Sequence, residues 1–121
     1  MKLYIVGTGA GNAGGMTLDA QSAIQASDIV VGYTLYVELL RSIFPEKNYL
    51  STGMKSEAER VNLALSEAQN GKTVALICSG DSGVYGMAAL ALELSDNYTN
   101  IDIEIVPGVT AALSGGALLG A

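Results

Sequence analysis

Thr73-Val74-Ala75-Leu76-Ile77-Cys78-Ser79-Gly80-Asp81-Ser82-Gly83-Val84 is the stretch that decides the fold. Its opening run, Thr73 to Cys78, is apolar without polar alternation, the pattern of a strand covered on both faces. Glycines at 80 and 83 interrupt the run, and a helical segment follows from about Val84 to Leu94. A fully covered strand that passes through a glycine turn into a helix is the front half of a β–α–β unit, whose parallel strands need crossover connections.

The same unit recurs on either side. Upstream, Lys2 to Val6 is a strand candidate that runs into glycines at 7, 9, 11, 14 and 15. A helix is predicted from Thr17 as N-cap, with Asp19 in its first turn, to about Ser27. Ile29-Val30-Val31 is a second apolar strand, Leu35 to Ile43 a helix closed by Pro45, and residues 48–51 a weak short strand. Ser56-Glu57-Ala58-Glu59 fits a capping box. Val61, Ala64, Leu65 and Ala68 then fall at i, i+3, i+4 and i+7 on one apolar stripe, which Gly71 ends in the left-handed C′ position. Downstream, Ile101 to Val106 is a strand and a last helix is predicted from about Val109. The pattern specifies an α/β fold: a five-stranded parallel-type sheet with helices on both faces.

Composition narrows the function. The length of 121 residues is that of one domain, and half of them are hydrophobic, enough to bury a core. Only 15% are charged, against about a quarter in average soluble proteins, so part of the apolar surface is expected to be covered by something else. A net charge of −6 with no histidine excludes a nucleic-acid footprint. The same balance means that a polycarboxylate ligand needs local cations. Cys78 stands alone, so neither a disulfide framework nor a CxxC metal site is expected, and its apolar run marks it as a buried structural thiol. The N-terminal apolar run is too short for a signal peptide, and no segment approaches the roughly 20 apolar residues of a membrane span. No membrane association and a cytoplasmic location are the default expectation. From Ile105 to Ala121 no residue is charged. Natural chain ends are usually polar and solvated, so the chain is expected either to be cut short or to lack a second domain.

Ligands of open α/β sheets bind outside the carboxyl ends of the strands, where this chain keeps its glycines. Gly7-Thr8-Gly9-Ala10-Gly11 follows strand one, Ser79-Gly80-Asp81-Ser82-Gly83 strand four, and Pro107-Gly108 strand five. Three such loops describe a ligand site better than three idle turns, though idle turns remain an alternative. Gly9 to Gly14 formally matches GxGxxG, but strand two ends Val31-Gly32-Tyr33 without the acid that binds a ribose, and Asp28 sits at its wrong end. An NAD(P)-binding oxidoreductase domain is therefore the disfavoured alternative. A Walker A loop is excluded, since no Gly-Lys-Ser/Thr follows a glycine turn.

Gly7-x-Gly9-Ala10-Gly11-Asn12 resembles the GxGPGD loop that opens tetrapyrrole methylases, with Ala10 in place of Pro and Asn12 in place of Asp. Ser79-Gly80-Asp81-Ser82-Gly83-Val84-Tyr85-Gly86 resembles that family's GDP-type loop, and Val106-Pro107-Gly108-Val109-Thr110-Ala111-Ala112 its PGVTA segment. The resemblance covers the whole chain in the family's order. GDSGVYGM at 80–87, Val31-Gly32-Tyr33-x-x-Tyr36 and Thr52-Gly53-Met54 are similar to the branch that methylates C17 of precorrin-3B or cobalt-factor III in cobalamin biosynthesis.

The resemblance implies a transferase that uses S-adenosyl-L-methionine (AdoMet) to methylate a tetrapyrrole. It further implies a second α/β domain, AdoMet in the cleft between the two domains, and a homodimer in the full-length protein. The AdoMet contacts it implies are Gly9, Ala10, Gly80, Asp81, Ser82, Val84, Tyr85, Thr110 and Ala111. The backbone of 80–82 and the Asp81 carboxylate would hold the methionine or ribose part, Val84 would pack nearby, and Thr110 and Ala111 would form the opposite wall. Asp81 also suits an N-cap of the following helix. No catalytic residue is assigned. Tyr33, Tyr36, Tyr85 and Lys55 are acid–base candidates by position, although tyrosines in such places more often pack, and Glu57 and Glu59 read as helix-start charges.

Overall fold

The computed structural model describes residues 1–9, 16–54, 56–78 and 81–108, without the side chains of Asp81 and Ser82. The elements are β1 (Lys2–Gly7), α1 (Leu18–Ala26), β2 (Ile29–Tyr33), α2 (Thr34–Arg41), β3 (Asn48–Thr52), α3 (Glu57–Gln69), β4 (Thr73–Cys78), α4 (Asp81–Leu94), a 3-10 turn at Ser95–Asn97, and β5 (Asp102–Val106). The five strands form one sheet in the order β3-β2-β4-β1-β5, and every pairing is parallel. The α/β expectation holds, strand for strand.

Successive strand residues point to opposite faces, and the core divides accordingly. Leu3, Ile5, Val31, Leu76 and Cys78 pack under the stripe Val61, Ala64, Leu65 and Ala68 of α3, with Val84, Ala88 and Ala91 of α4. Val6, Val30, Ala75 and Ile77 pack on the other face against Ala20, Ala23 and Ile24 of α1 and Val37 and Leu40 of α2. Thus α1 and α2 cover one face, α3 and α4 the other.

The caps differ from expectation in one place. Thr17 is extended and its hydroxyl accepts from the Ala20 amide at 3.0 Å, a true N-cap. Ser56 makes no such bond. Its backbone, at φ −111° and ψ 40°, leaves the extended conformation an N-cap needs, and its hydroxyl donates to the Met54 carbonyl at 3.4 Å. The capping box is therefore not formed. Gly71 has φ +93° as the helix end requires.

Several boundaries shift. β1 extends to Gly7 and β2 to Tyr33, because the ladder continues: Gly7 pairs with Cys78 and Tyr33 with Thr52. Gly32 fits this register because a methyl there would lie 2.4 Å from Cγ1 of Ile77. α2 stops at Arg41, where the Ile43 and Phe44 amides both turn back to the Leu40 carbonyl. α4 starts at Asp81, three residues before the expected Val84. Gly83 does not break it, since the first-turn amides have no intrahelical partner in any case. The helix expected from Val109 lies outside the described residues. Among the described residues, no helix is long and apolar enough to cross a membrane.

Candidate functional site

Along the carboxyl edge of the sheet the strands end at Thr52 (β3), Tyr33 (β2), Cys78 (β4), Gly7 (β1) and Val106 (β5). β4, β1 and β5 are neighbours, so the three glycine-bearing loops leave the sheet side by side. β1 is followed by α1 on one face and β4 by α4 on the other. Adjacent strands whose connections depart to opposite faces open a crevice between them, the place where open α/β sheets hold ligands.

The crevice floor is backbone. A methyl group on Gly7 would lie 2.5 Å from the Gly108 nitrogen and 2.8 Å from Cγ2 of Val84, and one on Gly108 would lie 2.8 Å from the Gly7 carbonyl oxygen. Only glycine at both positions lets the loops after β1 and β5 touch each other and the first turn of α4. Thr8, 2% exposed, ties the first loop to β4: its amide and its hydroxyl both donate to the Cys78 carbonyl, at 2.8 and 3.0 Å. Gly9 then turns the chain with φ +62°, a conformation costly to other residues. Cys78 is buried, and burial pushes its thiol up to about 12, with the Arg60 guanidinium opposing weakly. Such a thiol is protonated and inert at neutral pH, in keeping with the structural role expected for it.

Of the residues singled out from the sequence, Val84 sits at this floor and Gly9 makes the turn that leaves it. Asp81 and Ser82 open α4, so Asp81 is its first helical residue and not the residue preceding the helix. Tyr85, one step beyond Val84, is 57% exposed and turned to solvent. Ala10, Gly80, Thr110, Ala111 and Lys55 lie outside the described residues. Asp28 stands at the amino edge, where its carboxylate accepts from the Thr73 amide at 2.8 Å. No acid closes β2, which ends Gly32-Tyr33. The dinucleotide reading therefore lacks its ribose ligand.

A second group at the same edge gathers the candidates Tyr33 and Tyr36 around a residue that escaped the sequence reading, Arg60. Arg60 is 6% exposed; its Nε donates to the Thr52 hydroxyl at 2.8 Å and its Nη2 to the Gly53 carbonyl at 3.1 Å. Its guanidinium lies 5.8 Å from the centre of the Tyr33 ring, which meets the Tyr36 ring edge-to-face at 5.4 Å. Tyr33, Tyr36, Met54, Glu57 and Arg60 line a cleft of about 210 Å³. The signal was present: Arg60 precedes Ala64 by four residues and so shares its buried face.

The model of the tetrapyrrole (corrin/porphyrin) methylases matches residues 2–121. Over 120 residues the chain is 44% identical to the probable cobalt-factor III C(17)-methyltransferase of Salmonella typhimurium, covering 98% of this chain and 50% of that protein. A crystal structure of the methyltransferase CobJ superposes with a TM-score of 0.80 at 31% identity, over 98% of this chain and 51% of its own. Uroporphyrin-III C-methyl transferase from Thermus thermophilus, crystallised with S-adenosyl homocysteine, gives a TM-score of 0.68 at 25% identity, over 96% and 48% of the two chains. The chain spans about half the length of these relatives. Sequence match, strand order and glycine edge agree, and the chain belongs to the tetrapyrrole (corrin/porphyrin) methylase family.

Proposed function

We propose that this chain is the N-terminal α/β half of an AdoMet-dependent C-methyltransferase, which methylates C17 of cobalt-factor III or precorrin-3B with ring contraction. The observation that carries the reading is the glycine-lined crevice at β4, β1 and β5, in a chain 44% identical to the Salmonella protein of that name. A second domain completing the cleft is part of the reading, as is a homodimer of the full-length protein; a monomeric mass in solution by light scattering contradicts the latter.

The crevice suits AdoMet on structural grounds. Side chains are excluded where Gly7 and Gly108 meet, so the two loops pack backbone to backbone and form a floor free of side chains beneath the crevice. Gly9, Ala10, the backbone of Gly80 to Ser82, Asp81, Val84, Tyr85, Thr110 and Ala111 are the residues assigned to hold it. AdoMet supplies a methyl group already activated by its sulfonium charge. For the methyl transfer itself, what remains for the protein is orientation, which can lower a barrier by roughly 7–11 kcal/mol. Thr8, pinned to the Cys78 carbonyl, keeps the first loop from shifting. Val84, fully buried against Gly7, sets an apolar wall that keeps water from the floor. No nucleophile is needed, and Cys78, held protonated by burial, offers none.

The test is transfer of a labelled methyl group from AdoMet to cobalt-factor III or precorrin-3B by the full-length protein. A product one methyl heavier, labelled at C17, is the expected result; methylation at another ring carbon alone sinks the C17 assignment.

A further inference from the structure

Arg60 is a buried cation to which the described residues offer no counter-charge. The ion pairs among them join Lys2 to Asp102 and Glu104, Arg41 to Glu38, and Lys72 to Glu67. Those cations, together with Lys47, belong to the amino edge of the sheet. Lys2 opens β1, Lys72 precedes β4, Lys47 precedes β3, and Arg41 closes α2 on its return from the other edge. Lys47 is spent on the Gln25 and Ser27 carbonyls, at 2.6 and 2.7 Å. Arg60 is thus the one described cation at the carboxyl edge, and it stands in a protein of net charge −6.

Its hydrogen bonding is incomplete as well. A guanidinium carries five N–H donors in a planar fork. Arg60 uses Nε on Thr52 and Nη2 on Gly53, and no other described residue takes its further donors. Burial of a charge is costly unless it is paired and hydrogen-bonded, and the natural complement of the fork is a carboxylate, taken in bidentate fashion. The cleft that Arg60 lines is walled by Tyr33, Tyr36 and Met54, the last 71% exposed with no described residue covering it. Glu57, also on the lining, makes no ion pair with Arg60. The cleft opens at the ends of β2 and β3, and β2 is the neighbour of β4, where the glycine crevice begins.

We propose that Arg60 binds a carboxylate side chain of the tetrapyrrole acceptor, with Tyr33, Tyr36 and Met54 against the macrocycle. This rests on the tetrapyrrole-methylase function proposed above. The acceptor is then anchored at one end of the sheet edge while its reacting carbon faces the crevice at the other. In an acidic half-domain, Arg60 selects for a carboxylated ring.

The test uses the full-length protein as wild type, Arg60→Met and Arg60→Lys. Binding of uroporphyrin III, an octacarboxylate tetrapyrrole, is followed by the porphyrin's own fluorescence, and binding of S-adenosylhomocysteine by calorimetry. The expected result is porphyrin affinity at least tenfold weaker in Arg60→Met and intermediate in Arg60→Lys, with homocysteine-analogue affinity within twofold of wild type. Unchanged porphyrin affinity in Arg60→Met overturns the inference, as does a wild type that binds the analogue and ignores the porphyrin. A wild type that binds no analogue contradicts the proposed function instead. Should Arg60→Met lose both ligands, the Arg60 Nε–H resonance of the wild type decides. Its displacement by uroporphyrin, and not by the analogue, supports the site; a stationary resonance overturns it.

Discussion

Gly7 and Gly108 meet backbone to backbone: a methyl group on Gly7 would stand 2.5 Å from the Gly108 nitrogen. That approach binds the loop after β1 to the loop after β5 and leaves no room for any side chain between them. Gly7→Ala must force the loops apart. Overpacking of this kind costs about 1–3 kcal/mol. Urea denaturation should show a loss of that size, and titration with S-adenosylhomocysteine in the full-length protein a clear loss of affinity. Wild-type values in both measurements would show that the contact does not shape the crevice.

Gly32 and Ile77 provide an independent check of the sheet register. A methyl at Gly32 would meet Cγ1 of Ile77 at 2.4 Å and Cδ1 at 2.8 Å. Gly32→Ala alone should destabilise by about 1–3 kcal/mol. In an Ile77→Ala background, where the obstructing atoms are gone, the same change should cost less, giving a coupling of about 0.5–3 kcal/mol in a double-mutant cycle. Strict additivity would mean the two residues are not in contact.

The strands, the helix faces and the glycine edge could be read directly from the residues, because period and punctuation carry them. Thr73 to Cys78 lacks polar alternation, and it is a central strand buried from Val74 to Cys78. The stripe Val61, Ala64, Leu65 and Ala68 lies fully in the core. What escaped was decided by tertiary context. Ser56 has the right residue type for a cap but the wrong backbone angles, which residue type alone does not set. Arg60 belongs to the buried face by spacing, yet its charge disguised it until Thr52 and Gly53 supplied acceptors. The three glycine loops were legible as one edge, but that β4, β1 and β5 stand side by side is a matter of strand order, which no local pattern encodes.

The two serine/threonine positions before helices should behave differently. Thr17 accepts a hydrogen bond from Ala20, so Thr17→Ala should cost about 1 kcal/mol. Ser56 has no capping bond, so Ser56→Ala should stay within about 0.5 kcal/mol of wild type, as ordinary surface changes do. Chemical denaturation of the two variants checks the contrast, and equal losses would restore the capping box at α3.

Cys78 predicts a pH dependence with a definite sign. Burial raises its thiol from an ordinary 9.0 to about 12. Between those values the folded state keeps a proton that the unfolded chain releases, so stability falls as pH rises. The stabilising contribution is complete below pH 9 and is lost as pH rises toward about 12. Urea midpoints at pH 8 and pH 10.5 should fall more steeply for wild type than for Cys78→Ala. The native thiol should also resist a disulfide reagent at pH 8 and react once unfolded. Equal slopes with rapid native labelling would place the thiol in solvent.

The claim that the glycine edge is an AdoMet site is tested most directly by calorimetric titration of the full-length protein with S-adenosylhomocysteine and, separately, with NADH. The account expects saturable one-to-one binding of the homocysteine analogue and no heat from NADH. Saturable NADH binding with no response to the analogue would contradict it.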